Sequence, residues 1–162
     1  MLDTLTIKPA TEQDAALVLA FIKELADYEK RAHEVVATES LIKEALFGEL
    51  SHTEALIAYL GNEPIGFALY FYNFSTFLGR SGIYLEDLYV NPKARGMGIG
   101  KKILAALAKL AVEKGCGRLE LSVLDWNEDA IKFYQQLGAE PKNEWIVYRL
   151  TGEALANLAK KY

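Results

Sequence analysis

YLEDLYVNPKARGMGIGKKILAALAKLAVEKGCGRLELSVL, residues 84–124, decides the architecture. It opens on an aromatic, apolar run, passes Pro92 and a cluster of glycines, and continues with Ile99, Ile103, Leu104, Leu107 and Leu110 at helical spacing. After Gly115, RLELSVL reads as a further strand. Strand, helix and strand in that order predict a βαβ crossover. Gly96, Gly98 and Gly100 alternate between Arg95 and Lys101. Each glycine costs roughly 1 kcal/mol against alanine in a helix, so something must offset them. The usual compensation is close approach of a ligand.

Upstream, LTIKP is a short first strand, and Thr11 with Asp14 caps a helix carrying Leu17, Val18, Phe21, Ile22 and Leu25. Thr38 caps a second helix, LIKEALF, that stops at Gly48. TEALIAYL then turns through Gly61, Asn62, Glu63 and Pro64 into IGFALYFYNF, and a loop containing Gly79 and Gly82 leads to IYLEDLYV. This meander predicts antiparallel pairing. Downstream, Asn127 starts a helix ending at Gly138, and WIVYRL closes the sheet. The expectation is one α/β (α+β) domain over residues 1–162: a central mixed, mostly antiparallel sheet flanked by helices.

Composition narrows the function classes. The chain has 162 residues, 51% hydrophobic and 25% charged, ordinary for one domain with a full core. A net charge of −4 argues mildly against nucleic acid and tolerates a cationic substrate. MLDTLTIKP has no apolar leader core, and no apolar run approaches the roughly 18 residues a bilayer span needs. A cytoplasmic protein without membrane attachment is expected. Cys116 is alone and reads as structural, while His33 and His52 lie apart, so no metal is expected.

The glycine turn fits neither of two familiar phosphate loops. A P-loop needs four residues before Gly-Lys, whereas Gly96 and Gly100 enclose three. A dinucleotide fingerprint needs glycine at Lys101 and an apolar preceding strand, but Glu86 and Asp87 interrupt that strand. What survives is a glycine-rich turn at a helix N-terminus, whose free N–H groups and dipole bind an anion such as a pyrophosphate.

Arg95-x-x-Gly98-x-Gly100 resembles the acetyl-CoA-binding motif of the GNAT N-acetyltransferases. IKELADYE, GFALYFYNF, YLEDLYV, RGMGIG, EKGC, VLDWNEDAIKFYQQLGA and GEALANLA resemble the diamine acetyltransferases, closest to their thialysine branch. The resemblance covers nearly the whole chain. It implies acetyl-CoA as co-substrate, with its pyrophosphate on the backbone of Gly96, Met97, Gly98, Ile99, Gly100 and Lys101. Lys93, Arg95, Lys101 and Lys102 supply positive charge around it. It implies that pantetheine pairs with the backbone of Leu88, Tyr89 and Val90, one N–H holding the thioester oxyanion. It also implies that Asn127 and Phe133 lie at the coenzyme, and that Tyr134 protonates the leaving thiolate. From the residues alone, Tyr134 also fits a packed helix tyrosine and Asn127 a helix cap; cap and coenzyme roles are compatible.

The acceptor amine, protonated at neutral pH, must lose a proton before attack. The resemblance implies that Glu86 contacts the substrate and helps take that proton. Strand alternation puts Glu86 and Asp87 on opposite faces unless a bulge intervenes. Tyr28, Glu29, Glu86, Asp87, Glu120, Leu121 and Ser122 are the matched substrate positions. Acids and an aromatic suit a cation, although Asp27, Tyr28 and Glu29 equally fit the polar end of an amphipathic helix, and Glu86 or Asp87 a surface ion pair. Phe77, Asn143 and Glu120 depart from the spermidine/spermine pattern, where a tryptophan, an acid and a histidine align. A short diamine, or thialysine, lysine or ornithine, is therefore the expected acceptor. Protein acetylation and a non-catalytic acetyl-CoA-binding module remain alternatives. The family resemblance implies a homodimer.

Overall fold

The structure, a computed structural model, describes residues 4–162; the first three residues of the MLDTLTIKP start lie outside it. The chain forms two compact units, one ending at Leu124 and one spanning Asp125–Tyr162.

The first unit is built on a five-stranded sheet in the order β1-β2-β3-β4-β5: Leu5–Pro9, Thr53–Leu60, Glu63–Ser75, Arg80–Val90 and Leu119–Leu121. The first four strands pair antiparallel, as the meander predicts. The fifth pairs parallel to β4, with Ile83, Leu85 and Tyr84 opposite Leu119, Leu121 and Glu120. That parallel pairing is what the helical crossover requires, because only a long connection returns the chain in the same direction. RLELSVL forms a strand over just three of its residues. Gly82, expected in the loop, lies inside β4.

Helices α1 (Ala15–Tyr28) and α2 (Glu39–Phe47) cover one face. The Thr11–Asp14 pair forms as read: the Thr11 N–H donates to Asp14 Oδ2 at 2.7 Å, at the head of a short 3-10 turn leading into α1. Thr38 Oγ1 accepts the Leu41 N–H at 3.2 Å and starts α2. Val18 and Phe21 of α1 and Leu46 of α2 pack with Ala55, Ile57, Phe67 and Tyr89 of the sheet. The rings of Phe21 and Phe67 stack with centroids 5.4 Å apart. Burying one such ring stabilises the fold by roughly 2–3 kcal/mol. Helix α3 (Ile99–Glu113) serves the opposite face, burying Ile99, Ile103, Leu104, Leu107 and Ala111. Of the stripe read from the sequence, Ile99, Ile103, Leu104 and Leu107 are buried and Leu110 is half-buried.

The second unit contains α4 (Glu128–Gln136) and α5 (Gly152–Ala159). Asn127 Oδ1 accepts the Ala130 N–H at 3.3 Å, confirming the expected cap of α4. Gly138, at φ 92°, follows the helix end in the left-handed conformation that glycine adopts without strain. WIVYRL is not a strand: Trp145, Ile146, Val147 and Tyr148 are exposed, and the Trp145 N–H closes a turn on the Lys142 carbonyl at 3.2 Å. Apolar β-branched residues favour a strand only where a neighbouring edge accepts their backbone groups, and this segment pairs with none of the described strands. Among the described residues, no helix is long and apolar enough to cross a membrane.

Candidate active site

The site grows from an irregularity in β4. Opposite β3, Asp87 pairs with Leu69, but Tyr70 pairs with Leu85, so Glu86 is an extra residue with no partner. This is the β-bulge on which the sequence left the two acids undecided. Two consequences follow. First, Asp87 falls on the same face as Phe67, Tyr89, Phe71 and Tyr84, the α1 side of the sheet. Second, the β4–β5 ladder ends at Leu85 opposite Leu121, immediately before the bulge. Beyond it, no described strand pairs with β4 on its β5 side.

That open edge has defined polarity. The Asn91 N–H donates to the Ile65 carbonyl at 2.7 Å, and the Val90 carbonyl accepts Arg95 Nε at 3.0 Å. By alternation, the backbone groups of Leu88 and Val90 point away from β3, whereas those of Tyr89 face it. Of the three residues expected at pantetheine, Leu88 and Val90 therefore present backbone to the open edge. Tyr89 instead places its ring in the core beside Phe21.

The chain then runs through a short turn, Pro92–Ala94, into the glycine cluster. Gly96 and Gly98 have φ of 81° and 75°, and Gly98 is the N-cap of α3. A Cβ on either would meet nothing within 4 Å. The glycines are thus required first by a left-handed backbone, and the space beside them is open. The N–H groups of the first turn of α3, from Ile99, Gly100 and Lys101, have no carbonyl one turn earlier to receive them. Met97, Lys101 and Lys102 are exposed, and Ile99 is buried as the first core residue of the helix. The turn has the open space and unpaired donors that a pyrophosphate requires, so the residues present fit a coenzyme A phosphate group.

Arg95 does not simply extend into solvent. Its guanidinium lies over the Tyr28 ring at 5.0 Å and the Tyr89 ring at 5.7 Å. This ties the C-terminal end of α1 to the entrance of the glycine turn. Tyr28 and Glu29, expected at the substrate, therefore sit beside the end of β4.

Glu29, Glu86 and Asp87 lie close enough to repel. Burial, followed by the charges of Glu86 and then Glu29, raises the Asp87 carboxyl to about 6. Burial also raises Glu29, opposed by the Arg31 guanidinium. Glu86 is exposed at the bulge, whereas Asp87 is half-buried. A carboxylate whose proton affinity is raised towards neutrality is suited to take a proton from an ammonium group.

Along the same face, Glu120 has two polar neighbours. Asn73 Nδ2 donates to Glu120 Oε1 at 3.0 Å, and Arg118 Nε stands 2.9 Å from the same oxygen. Tyr84 stacks on Phe71 with centroids 5.1 Å apart, and its hydroxyl bonds the hydroxyl of Ser122. Leu121 pairs with Leu85, whose side chain is buried on the α3 face. The structure therefore groups Glu120 and Ser122 with Tyr84, and directs Leu121 to the other layer. Arg118, Asn73, Phe71 and Tyr84 were missed by motif matching. The i, i+2 spacing of Arg118 and Glu120 was a usable signal, but their neighbours follow only from strand register.

In the second unit, α4 carries Phe133 and Tyr134, half-buried, with ring centroids 5.2 Å apart. Asn127 is buried at the helix start. Among the described residues, no group of three or more His, Cys, Asp or Glu side chains could hold a metal ion.

Residues 20–139 match the model of the acetyltransferase (GNAT) family. The chain is 41% identical over 166 residues to the thialysine N-epsilon-acetyltransferase of Bos taurus, covering 96% of this chain and 97% of that one. It is 31% identical to the L-ornithine N5-acetyltransferase of Arabidopsis thaliana, covering 95% of this chain and 87% of the relative. Among solved structures, an integron cassette protein from the mobile metagenome of V. cholerae superposes with a TM-score of 0.80 at 32% identity. That alignment covers 96% of this chain and 98% of the other.

Proposed function

Because this chain is an N-acetyltransferase belonging to the GNAT family, we propose that it moves the acetyl group of acetyl-CoA directly to a primary amine of a small cationic acceptor. The acceptor class is a short diamine or an amino acid with a terminal side-chain amine, such as thialysine, ornithine or lysine. The observation that carries this reading is the gathering of Glu29, Glu86 and Asp87 beside the open edge of β4. Three carboxylates attract a cation, and a carboxylate raised towards neutrality can take its proton. The names of the thialysine and ornithine relatives agree with it.

When bound, acetyl-CoA supplies a thioester carbonyl open to attack by an amine. The protein's contribution begins at the N-terminus of α3, where the Gly96–Lys101 backbone receives the pyrophosphate and Lys93, Lys101 and Lys102 add charge. Leu88 and Val90 offer backbone to the pantetheine arm along the open edge, and the Leu88 N–H polarises the carbonyl oxygen. Asp87, coupled to Glu86 directly or through water, accepts the proton of the incoming ammonium. Tyr134 is assigned, through its match to the family tyrosine, the proton donor to the leaving sulfur; Asn127 and Phe133 are assigned to the coenzyme. Both compact units belong to one acetyltransferase domain, a reading supported by a family match that runs from the first unit into the second. The protein acts in the cytoplasm as a homodimer; light scattering of the purified protein tests the assembly.

The deciding experiment mixes the protein with acetyl-CoA and a panel of thialysine, ornithine, lysine, putrescine and spermidine, following thiol release. Turnover with a short diamine or amino acid supports the reading. Tight acetyl-CoA binding without turnover on any of them refutes it.

A further inference from the structure

The Arg118–Glu120 pair is an unusual object to find on an acidic, cation-binding face. Both side chains are half-buried, and their strand alternation places them on the same face as Asp87 and Tyr84. The pair is built rather than incidental. A Cβ at Gly82 would come within 2.6 Å of Asn73 Oδ1 and 3.0 Å of Arg118 Cγ, so glycine there makes room for both side chains to converge on Glu120. Asn73 Nδ2 hydrogen-bonds Glu120 Oε1, and Arg118 Nε stands at ion-pair distance, 2.9 Å, from the same oxygen. The two terminal amino groups of Arg118 bond no described residue, which leaves the open end of the guanidinium fork for a ligand.

Register sets the distance to the reactive carboxylates. Glu120 is opposite Tyr84, Tyr84 is opposite Phe71, and Asp87 is opposite Leu69, two residues further along β3. With a rise of about 3.3 Å per residue and about 4.8 Å between strands, the backbones of Glu120 and Asp87 stand about 8 Å apart. An extended lysine- or ornithine-length side chain bridges that span. With its terminal amine at Asp87, the other end lies at the Arg118–Glu120 pair, along the Tyr84 and Phe71 rings. A diamine ends there in a single positive charge. An amino acid ends in an ammonium and a carboxylate side by side, the complement of a Glu–Arg pair.

We propose that Arg118 and Glu120 form a dyad that reads the α-carboxylate and α-ammonium of an amino-acid acceptor, selecting it over the diamine of equal length. This rests on the small-cation reading above and narrows its acceptor to amino acids. Arg118 meets the carboxylate as a fork, Glu120 meets the ammonium, and a diamine brings its second charge against Arg118 without a compensating anion.

The test uses two matched pairs, ornithine with putrescine and lysine with cadaverine, which differ only by the carboxylate. In the wild-type protein, kcat/KM favours the amino acid in each pair. In Arg118→Gln the amino-acid-to-diamine ratio falls by about 10- to 100-fold, mainly through KM, the loss expected for charged hydrogen bonds. Arg118→Lys, which keeps the charge without the fork, recovers part of the ratio. A general loss of structure would lower both members of a pair together, and the ratio cancels it; acetyl-CoA affinity, measured by calorimetry, reports folding independently. An unchanged ratio in Arg118→Gln, or a wild-type preference for the diamines, overturns the dyad. Absence of turnover with all four amines instead overturns the small-cation reading on which it stands.

Discussion

Asp87→Asn is expected to make the protein more stable and less active, and the two effects share one cause. The folded environment raises the Asp87 carboxyl from 3.8 to about 6, chiefly by burial and then by Glu86 and Glu29. A carboxyl raised on folding binds protons more tightly in the native state, so its charged form destabilises the fold once pH exceeds the folded value. The destabilisation is absent below pH about 4, grows between about 4 and 6, and is complete above that window. Roughly two pKa units at about 1.4 kcal/mol each give about 3 kcal/mol, which partial exposure reduces to about 1–2 kcal/mol. Asparagine keeps the shape and removes the charge, so at pH 7.5 the variant gains that amount, about 3–6 °C in Tm for a chain of this size. Losing a proton acceptor lowers kcat/KM for the amine by about 10²–10³-fold. The assays are thermal melts of both proteins at pH 4 and 7.5, and amine turnover at pH 7.5. A variant melting at or below wild type at pH 7.5, or with the same advantage at pH 4, would refute the electrostatic account. Unchanged turnover would remove Asp87 from the chemistry.

Further outcomes are expected elsewhere in the molecule. The wild-type kcat/KM for the amine rises as pH increases through about 6, and Asp87→Asn abolishes that step in the pH profile. Tyr134→Phe lowers kcat while leaving acetyl-CoA affinity nearly unchanged; equal kcat in both proteins would withdraw its role as the acid. Gly98→Ala meets no atom, so its cost is the left-handed backbone alone, about 1 kcal/mol in denaturant melts, with weaker acetyl-CoA binding as the turn shifts. Asn127→Ala loses the cap of α4 and about 1 kcal/mol, and Asn127→Asp restores the stability. If Asn127 also lies at the coenzyme, the aspartate variant still binds acetyl-CoA more weakly, because its charge faces the same ligand.

The amino-acid order alone carried most of the scaffold. The 3.6-residue stripe of α3 and the turns at Gly61 and Gly138 are local, since periodicity and left-handed glycines act within a few residues. The caps at Thr38 and Asn127 are local for the same reason: a side-chain oxygen satisfies a backbone donor three positions on. The glycine turn and its anion-binding character were legible too, because free N–H groups at a helix start follow from chain direction. WIVYRL shows the limit of such local reading. Its alternation of apolar and β-branched residues is a preference, and a strand exists only when another edge completes its hydrogen bonds.

The active face is where tertiary structure decided. Local alternation separates Glu86 from Asp87, and nothing in LEDLY reveals that β3 skips a residue there. Strand pairing inserts the bulge, turns Asp87 to the α1 face beside Glu29, and leaves the β4 edge open beyond Leu85. The parallel register of β5 likewise brings Arg118 and Glu120 to Asn73, 47 residues from Glu120 along the chain. Propensity, caps and periodicity are properties of neighbouring residues, whereas a perturbed carboxyl and a charge dyad are properties of distance in space. Those distances come into being only when the strands are in register.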